Sequence, residues 1–436
     1  MKEFYNIPKD WLWVKHQDIG VINPKNNTDK LHKYDKVSFL PMASVEEETG
    51  KYSLGETREL QQVKKGYTSF SNGDILFAKI TPTMENGKVA IMKNLTNSIG
   101  YGSTEFHVSR LHKIIEKKFI FYYFVQPFFR QTAKKFMTGS AGQLRVPTEY
   151  FKNVEIPLAP LLEQKAIVAK IEQLLSELDN GIANLKTAQA KLKIYRQAVL
   201  KKAFEGIPQI NFEQMIQSSQ NGLSKRSGKE GEFYKVLRLA DIKDFQIVEN
   251  EPRSIQMNKI EIEKYKLKIN DLICTRVNGS KDLVGTFTLY HTDTKWAFCD
   301  HFIRLKLNEN SISKFYFYFL QTREVRKYIH DNMVSSAGQN TVSQTTIKAI
   351  QVPTCSIDEQ NQIVQEIESR LSVCNKTEET IANSLTKSEA LRQSILKKAF
   401  EGKLLSAHVL ENIKNHPEYE SAEELLKRIQ KERSKQ

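Results

Sequence analysis

The sequence predicts an α/β (α+β) protein made of two tandem, pseudo-symmetric units, each a mixed α/β module followed by a long helix. Three observations carry that prediction. The heptapeptide LKKAFEG stands at 200–206 and again at 396–402. A shift of 196 residues lays 163–206 over 359–402 without a gap, with 18 of 44 positions identical. Ahead of each heptapeptide, apolar residues recur every seven positions, the pattern of a helix that packs along another helix. A repeat of this kind means that one structural unit has been built twice.

The front of each copy reads as short strands broken by turns. In the first these are DILFAKI, KVAIMK and EFHVSRL; in the second, KVLRLADI, DLICTRV, VGTFTLY and HFIRLKL. Alternation and enrichment in β-branched and aromatic residues mark them as strands. GDILFAKI (73–80) aligns with NDLICTRV (270–277), with one residue of slippage. Asp74 and Asp271 then fall in equivalent turns, where aspartate serves the backbone. KKFIFYYFVQPFFRQTAKKF (117–136) reads as one helix whose aromatics pack on the sheet. The polar stretches TGSAGQLR and SSAGQNT, which share Ser-Ala-Gly-Gln at 140–143 and 336–339, read as turns.

The back of each copy is a long helix. In the first, Ile171, Leu178, Leu185, Leu192 and Val199 form a seam, with Ile167, Leu174, Ala188 and Tyr195 beside it. Pro157 and Pro160 mark its start, and Gly206 with Pro208 its stop. In the second, Ser356 and Glu359 form a capping box. Its seam is weaker: Ile363, Ile367, Cys374, Ile381, Leu391 and Ile395, with Arg370 and Ser388 at seam positions. The two helices are expected to bury their seams against each other as an antiparallel coiled coil. The expected organisation is a first module over 1–158, its helix over 159–206, a second module over 207–354 and its helix over 355–402. Residues 403–436 follow as a tail with a short amphipathic helix, in which Ser421 and Glu424 make another capping box.

Composition narrows the function. Hydrophobic content of 40% and charged content of 27% suit a folded protein rather than a disordered one. There is no long apolar run and no secretory h-region, so neither a membrane span nor a signal is expected. Cys274, Cys299, Cys355 and Cys374 show no CxxC spacing, which predicts no disulfide framework, no zinc site and a cytoplasmic setting. The net charge of +14, from 65 Lys and Arg against 51 Asp and Glu, favours a polyanionic partner such as nucleic acid.

Catalytic signatures are missing. GLSKRSGKE (222–230) has five residues between its glycines and Glu230 where a phosphate loop needs Ser or Thr. No sequence fits the Asn/Asp-Pro-Pro-aromatic motif of amino-methylating enzymes. The nine histidines show no HExxH or HxH spacing. GYGSTEF (100–106) gives Ser103 the wrong context for a nucleophile. No catalytic residue and no metal site are expected in this chain.

Together these residues resemble the specificity subunit of type I restriction–modification systems. The resemblance covers nearly the whole chain and rests on GDILF at 73–77, SAGQLRVPTEYFKNVEIPLAPLLEQKAIVAKI at 140–171, SAGQNTVSQTTIKAIQVPTCSIDEQNQIVQEI at 336–367, the doubled LKKAFEG and SAEELLKRIQKER at 421–433. It implies that the modules are target recognition domains, each reading one half of a split sequence in double-stranded DNA. It implies spacer helices that dock two methyltransferase subunits, which bring S-adenosylmethionine and flip an adenine from the duplex. Where DNA is cleaved, it implies motor-nuclease subunits that use ATP and Mg. No cofactor is expected in this chain. A second reading, a stand-alone tandem-domain DNA-binding regulator, would bind its site tightly with no partner.

Candidate DNA-binding residues follow the strand exits and the two Ser-Ala-Gly-Gln stretches. ITPTMENGK offers Lys79, Thr81, Glu85, Asn86 and Lys88; the second copy offers Arg276, Asn278, Ser280 and Lys281. Acidic and amide side chains beside lysines can read base edges while the lysines hold phosphates. Ser140, Gln143, Arg145, Ser336, Gln339 and Asn340 join them, and Lys225 and Arg226 suit phosphates.

Overall fold

In the computed structural model, residues 6–140, 142–228, 230–249, 251–292, 294–336 and 338–435 are described. Ala141 and Ala337 of the two Ser-Ala-Gly-Gln stretches, and Lys229 of the basic loop, lie outside them. The chain forms two compact units. One combines the residues up to Asn184 with those from Ser384 onward; the other runs from Leu185 to Asn383.

In the first unit, strands Gly20–Ile22, Phe106–Leu111, Ile75–Ala78 and Val89–Ile91 form an antiparallel sheet in that order. A second sheet orders Arg58–Glu59, Lys36–Leu40, Ile99–Gly102 and Thr68–Ser71, with its middle pair parallel. Leu40, Phe70, Leu76, Phe106 and Val108 make one apolar core. A larger one gathers Phe77, Phe119, Phe124, Phe129 and Phe151 beneath the helices Lys117–Val125 and Pro127–Lys134. The aromatic stretch is thus two helices, not the single one expected. Gln126 is extended (ψ 140°) because Pro127 disfavours a helical residue before it and starts the next helix instead.

The second unit repeats this arrangement. Its strands Ile216–Asn221, Phe302–Leu307, Leu272–Thr275 and Phe287–Leu289 pair in the corresponding order. The registers agree: Ile75 faces Ser109, and Leu272 faces Leu305. Asp74 and Asp271 do hold the same turn, accepting from the backbone N–H of Ser71 at 2.7 Å and of Lys268 at 2.8 Å. The aromatic stretch is again split, into Ser313–Phe319 and Arg323–Asn332, here by the Thr322 cap.

The long helices span Leu161–Ala203 and Ile357–Phe400. The Ser356–Glu359 and Ser421–Glu424 capping boxes both form. Each unit buries the start of one helix with the end of the other. Ile167, Val168 and Ile171 share a core with Ile395, Leu396, Ala399 and Phe400. Val364, Ile367 and Leu371 share the other with Val199, Leu200 and Phe204. Asp179 pairs with Arg392 in the first unit, and Arg196 with Glu378 at 3.2 Å in the second. Rising numbers on one helix meet falling numbers on the other, so the pairing is antiparallel.

The seam follows the expected residues in part. Ile171, Val199, Ile367, Cys374, Ile381 and Ile395 are buried, while Leu178, Leu185 and Leu192 are half-buried, since a two-helix contact covers only one side. Three expectations are corrected. Leu391 is 51% exposed and Tyr195 45% exposed, because their neighbours Arg392 and Arg196 face the partner helix and pair across it. Arg370 leaves the seam to pair with Glu366, and Leu371 is buried in its place.

Candidate nucleic-acid interface

Strand Ile75–Ala78 runs out of its sheet into residues 79–88, and this exit meets the Ser-Ala-Gly-Gln stretch. Lys79 donates its N–H to Glu105 O at 2.9 Å, and Val146 donates to Lys79 O at 2.8 Å. Thr81 donates to Leu144 O at 3.0 Å, and its Oγ1 donates to Gly142 O at 3.2 Å. Thr138 and Arg145 exchange both backbone hydrogen bonds, at 2.9 and 2.8 Å, closing a hairpin that carries Ser140 and Gln143.

The second unit builds the same device. Arg276 donates to His301 O at 2.7 Å, and Val342 donates to Arg276 O at 2.9 Å. Strand Val277–Asn278 pairs with Gln339–Thr341, which pairs in turn with Val334–Ser336. The stretch expected to be a turn is therefore a hairpin with paired strands, because the strand exit supplies an edge on which it can add. Two candidate sets far apart in sequence form one surface in each unit.

The side chains sort by what they touch. Ser140, Gln143 and Asn86 are exposed in the first unit; Ser280, Lys281, Ser336 and Gln339 in the second. Asn86 donates to Glu47 Oε1 at 2.7 Å, and Lys88 reaches Met42 O at 3.4 Å. Glu85 pairs with Lys134 at 3.5 Å, and its carbonyl accepts from Arg130. Asn278 Oδ1 accepts from Ser280 N–H at 2.9 Å. Asn340 is buried and clamps the hairpin base, donating to Gly279 O at 2.9 Å and accepting from Ser335 Oγ at 2.6 Å. Lys225 pairs with Glu261 at 3.0 Å outside these hairpins, and Arg226 is exposed nearby.

Sequence reasoning missed Glu105, His107, Arg130 and Arg326. Glu105 takes both Nε and Nη2 of Arg145, at 2.8–3.2 Å. This hydrogen-bonded guanidinium holds its carboxyl below the usual range. Half-burial lowers the Lys79 ammonium, with Glu105 opposing. Lys79, Arg145 and Glu105 together leave a local positive charge. Arg326 holds the carbonyls of Val284 at 2.9 Å and Asp282 at 3.0 Å, bracing the loop that carries Ser280 and Lys281. Glu105 and His301 are equivalent through the backbone hydrogen bonds they accept from Lys79 and Arg276 but differ in type, so no sequence signal marked this place.

The model of the type I restriction modification DNA specificity domain matches residues 8–187 and 220–387. The chain belongs to that family. It is 36% identical over 341 residues to the StySPI specificity subunit of Salmonella potsdam, covering 74% of this chain and 73% of the relative. It is 28% identical over 346 residues to the EcoKI specificity subunit of Escherichia coli, covering 75% and 74%. A chain from a structure describing complex assembly and conformational transition of the type I R-M system shares the fold, with a TM-score of 0.76. That likeness covers 92% of this chain and 100% of that one at 20% identity. The HsdS subunit of Thermoanaerobacter tengcongensis shares it at TM-score 0.63 and 19% identity, over 93% and 100% of the two chains. The fold and family expected from the resemblance therefore stand, and these relatives favour the specificity-subunit reading over a free-standing regulator. Among the described residues, no helix is long and apolar enough to cross a membrane.

Proposed function

We propose that this specificity subunit presents its two strand-exit hairpins to the two halves of a split DNA target while its long helices dock two methyltransferase subunits. The observation that carries the reading is the doubled device: equivalent hairpins, built by equivalent backbone hydrogen bonds, with different side chains on each. One frame presented twice suits a bipartite site, and divergent side chains suit two unlike half-sites. Exposed amides, hydroxyls and cations at the hairpins can meet base edges and phosphates. S-adenosylmethionine and the flipped adenine then belong to the methyltransferase partners. ATP and Mg belong to motor-nuclease subunits where cleavage occurs. The chain itself positions and selects.

Two measurements test this. Purified alone, the chain is expected to transfer no methyl group to DNA, and together with its methyltransferase subunit it is expected to direct methylation to a split motif. Replacing residues 1–157 by the corresponding module of a relative should change one half of that motif and leave the other. Methyl transfer by the chain alone, or a change in both halves together, overturns the proposal.

A further inference from the structure

Arg145 stands on the first hairpin between half-buried Leu144 and buried Val146, its own side chain 39% exposed. A guanidinium carries five N–H donors in a rigid fork. Glu105 accepts from Nε at 3.0 Å and from Nη2 at 2.8 Å, occupying the side of the fork. Gln143 O accepts one Nη1 hydrogen at 2.9 Å. One hydrogen remains on each terminal nitrogen, and among the described residues neither has a further partner. Two donors from one fork match the O6 and N7 acceptors of guanine in the major groove. The flanking carboxylate also separates base from phosphate. Glu105 cancels the charge of Arg145 itself and leaves the positive charge of this place to Lys79, so the fork offers directed donors rather than charge, which suits the neutral edge of a guanine. Fixing the fork before binding also reduces the ordering cost of the contact.

We infer that Arg145 reads a guanine in the half-site engaged by the first unit, with Glu105 as its positioning residue. The inference rests on the proposed role of the hairpins as the DNA-facing surface. It is specific to one half. The residues equivalent to Arg145 and Glu105 in the second unit are Thr341 and His301, which form no such fork.

The test uses the chain assembled with its methyltransferase subunits. Methylated motifs are sequenced from cells carrying the wild type, Arg145→Gln, Arg145→Lys, Glu105→Gln or Gln339→Ala. Purified complexes are titrated with duplexes substituted at each motif position. Arg145→Gln is expected to relax a single guanine position in one half, with discrimination there falling about 10- to 100-fold and the other half unchanged. Glu105→Gln should relax the same position by a smaller factor at unchanged thermal stability, and Arg145→Lys should not restore it. A wild-type half-site without guanine overturns the inference. So does an Arg145→Gln complex that binds all sequences equally more weakly with a salt slope lower by about one, since that is a phosphate contact. If Gln339→Ala alters the other half while Arg145→Gln alters none, the guanine inference fails and the hairpin surface stands. If neither variant alters any position, the hairpin surface itself fails, and the inference with it. Should Arg145→Gln not assemble, Glu105→Gln and the wild-type titration decide.

Discussion

His16 and His107 flank the ring of Phe151, one edge-on at 4.7 Å and the other stacked at 4.9 Å. His16 meets Phe151 O at 3.0 Å and Ser109 Oγ at 2.6 Å, and His107 meets Val146 O at 2.8 Å directly behind the first hairpin. Burial depresses the His16 imidazole to about 3 and His107 to about 4. Unfolding would return both to about 6.5, so the unfolded chain binds more protons than the native one as pH falls below that value. Their contribution is present above pH 6.5 and is lost progressively down to about pH 4 and pH 3. Each loses up to about 1.4 kcal/mol per pH unit in that window. Buried Glu163, whose carboxyl is raised by desolvation, acts in the opposite sense and moderates the slope. The equivalent positions in the second unit are Phe212 and Ile303, both buried. Denaturant unfolding at pH 7 and pH 5 should therefore show the first unit weakening by roughly 2–4 kcal/mol. An equal loss in both units would point to another cause. These histidines were illegible in the sequence, because a lone histidine, at the start of a short helix (His16) or within a strand (His107), looks the same buried or exposed. Gln164 and Gln360 were visible as matching residues, but not for what they do. Each is buried and ties a long helix to its module, accepting from Glu116 N–H at 3.1 Å and from Ile312 N–H at 2.8 Å.

The repeated heptapeptide explains itself at the level of elements. Phe400 packs on Phe119 at 5.0 Å and Tyr123 at 5.2 Å, and Phe204 packs on Phe315 and Phe319, both at 5.2 Å. Each copy of LKKAFEG is a plug that closes an aromatic core. Periodicity alone revealed the helices and their apolar face. It could not reveal that the end of each helix enters the core of the other copy's module, because the heptapeptides are identical and fit either. Phe400→Ala should cost about 3–5 kcal/mol in the first unit, and Phe204→Ala about as much in the second. Calorimetry should resolve each as a transition lowered by roughly 6–20 °C in one unit. If either substitution lowered both transitions alike, the plugs would not be specific to their cores. The seam errors have a related origin. A strict seven-residue count drifts against a 3.6-residue helix, so Leu391 and Tyr195 were placed one position away from the arginines that face across.

On the scale of the whole molecule, the two-copy architecture was legible from the repeat, whereas the use of residues 403–435 was not. Leu425 and Ile429 are fully buried in the first unit's core, and Ala422 on the same helix is fully buried too. Arg433 donates to the carbonyls of Gln17 at 2.6 Å and Asp18 at 2.9 Å, Lys113 pairs with Glu432 at 3.1 Å, and Lys414 pairs with Asp10. Amphipathicity announced a helix there but not its docking site, since an apolar stripe carries no address. Deleting residues 406–436 should strip about 3–6 kcal/mol of burial from Leu425 and Ile429 alone. The first unit's melting should fall by 10 °C or more while the second unit's stays, as read by hydrogen exchange resolved to each unit. Loss of protection in the second unit instead would contradict this assignment. The interleaving of the chain has a consequence for biosynthesis. Domains commonly fold in the order in which the ribosome makes them. Here the segment Leu185–Asn383 is continuous and has all of its core once it emerges, whereas the module made first waits, with its aromatic core open, until Ile395, Phe400, Leu425 and Ile429 have been translated. The nascent chain therefore completes its middle before its beginning, and the first-made module is the one that chaperones must shelter.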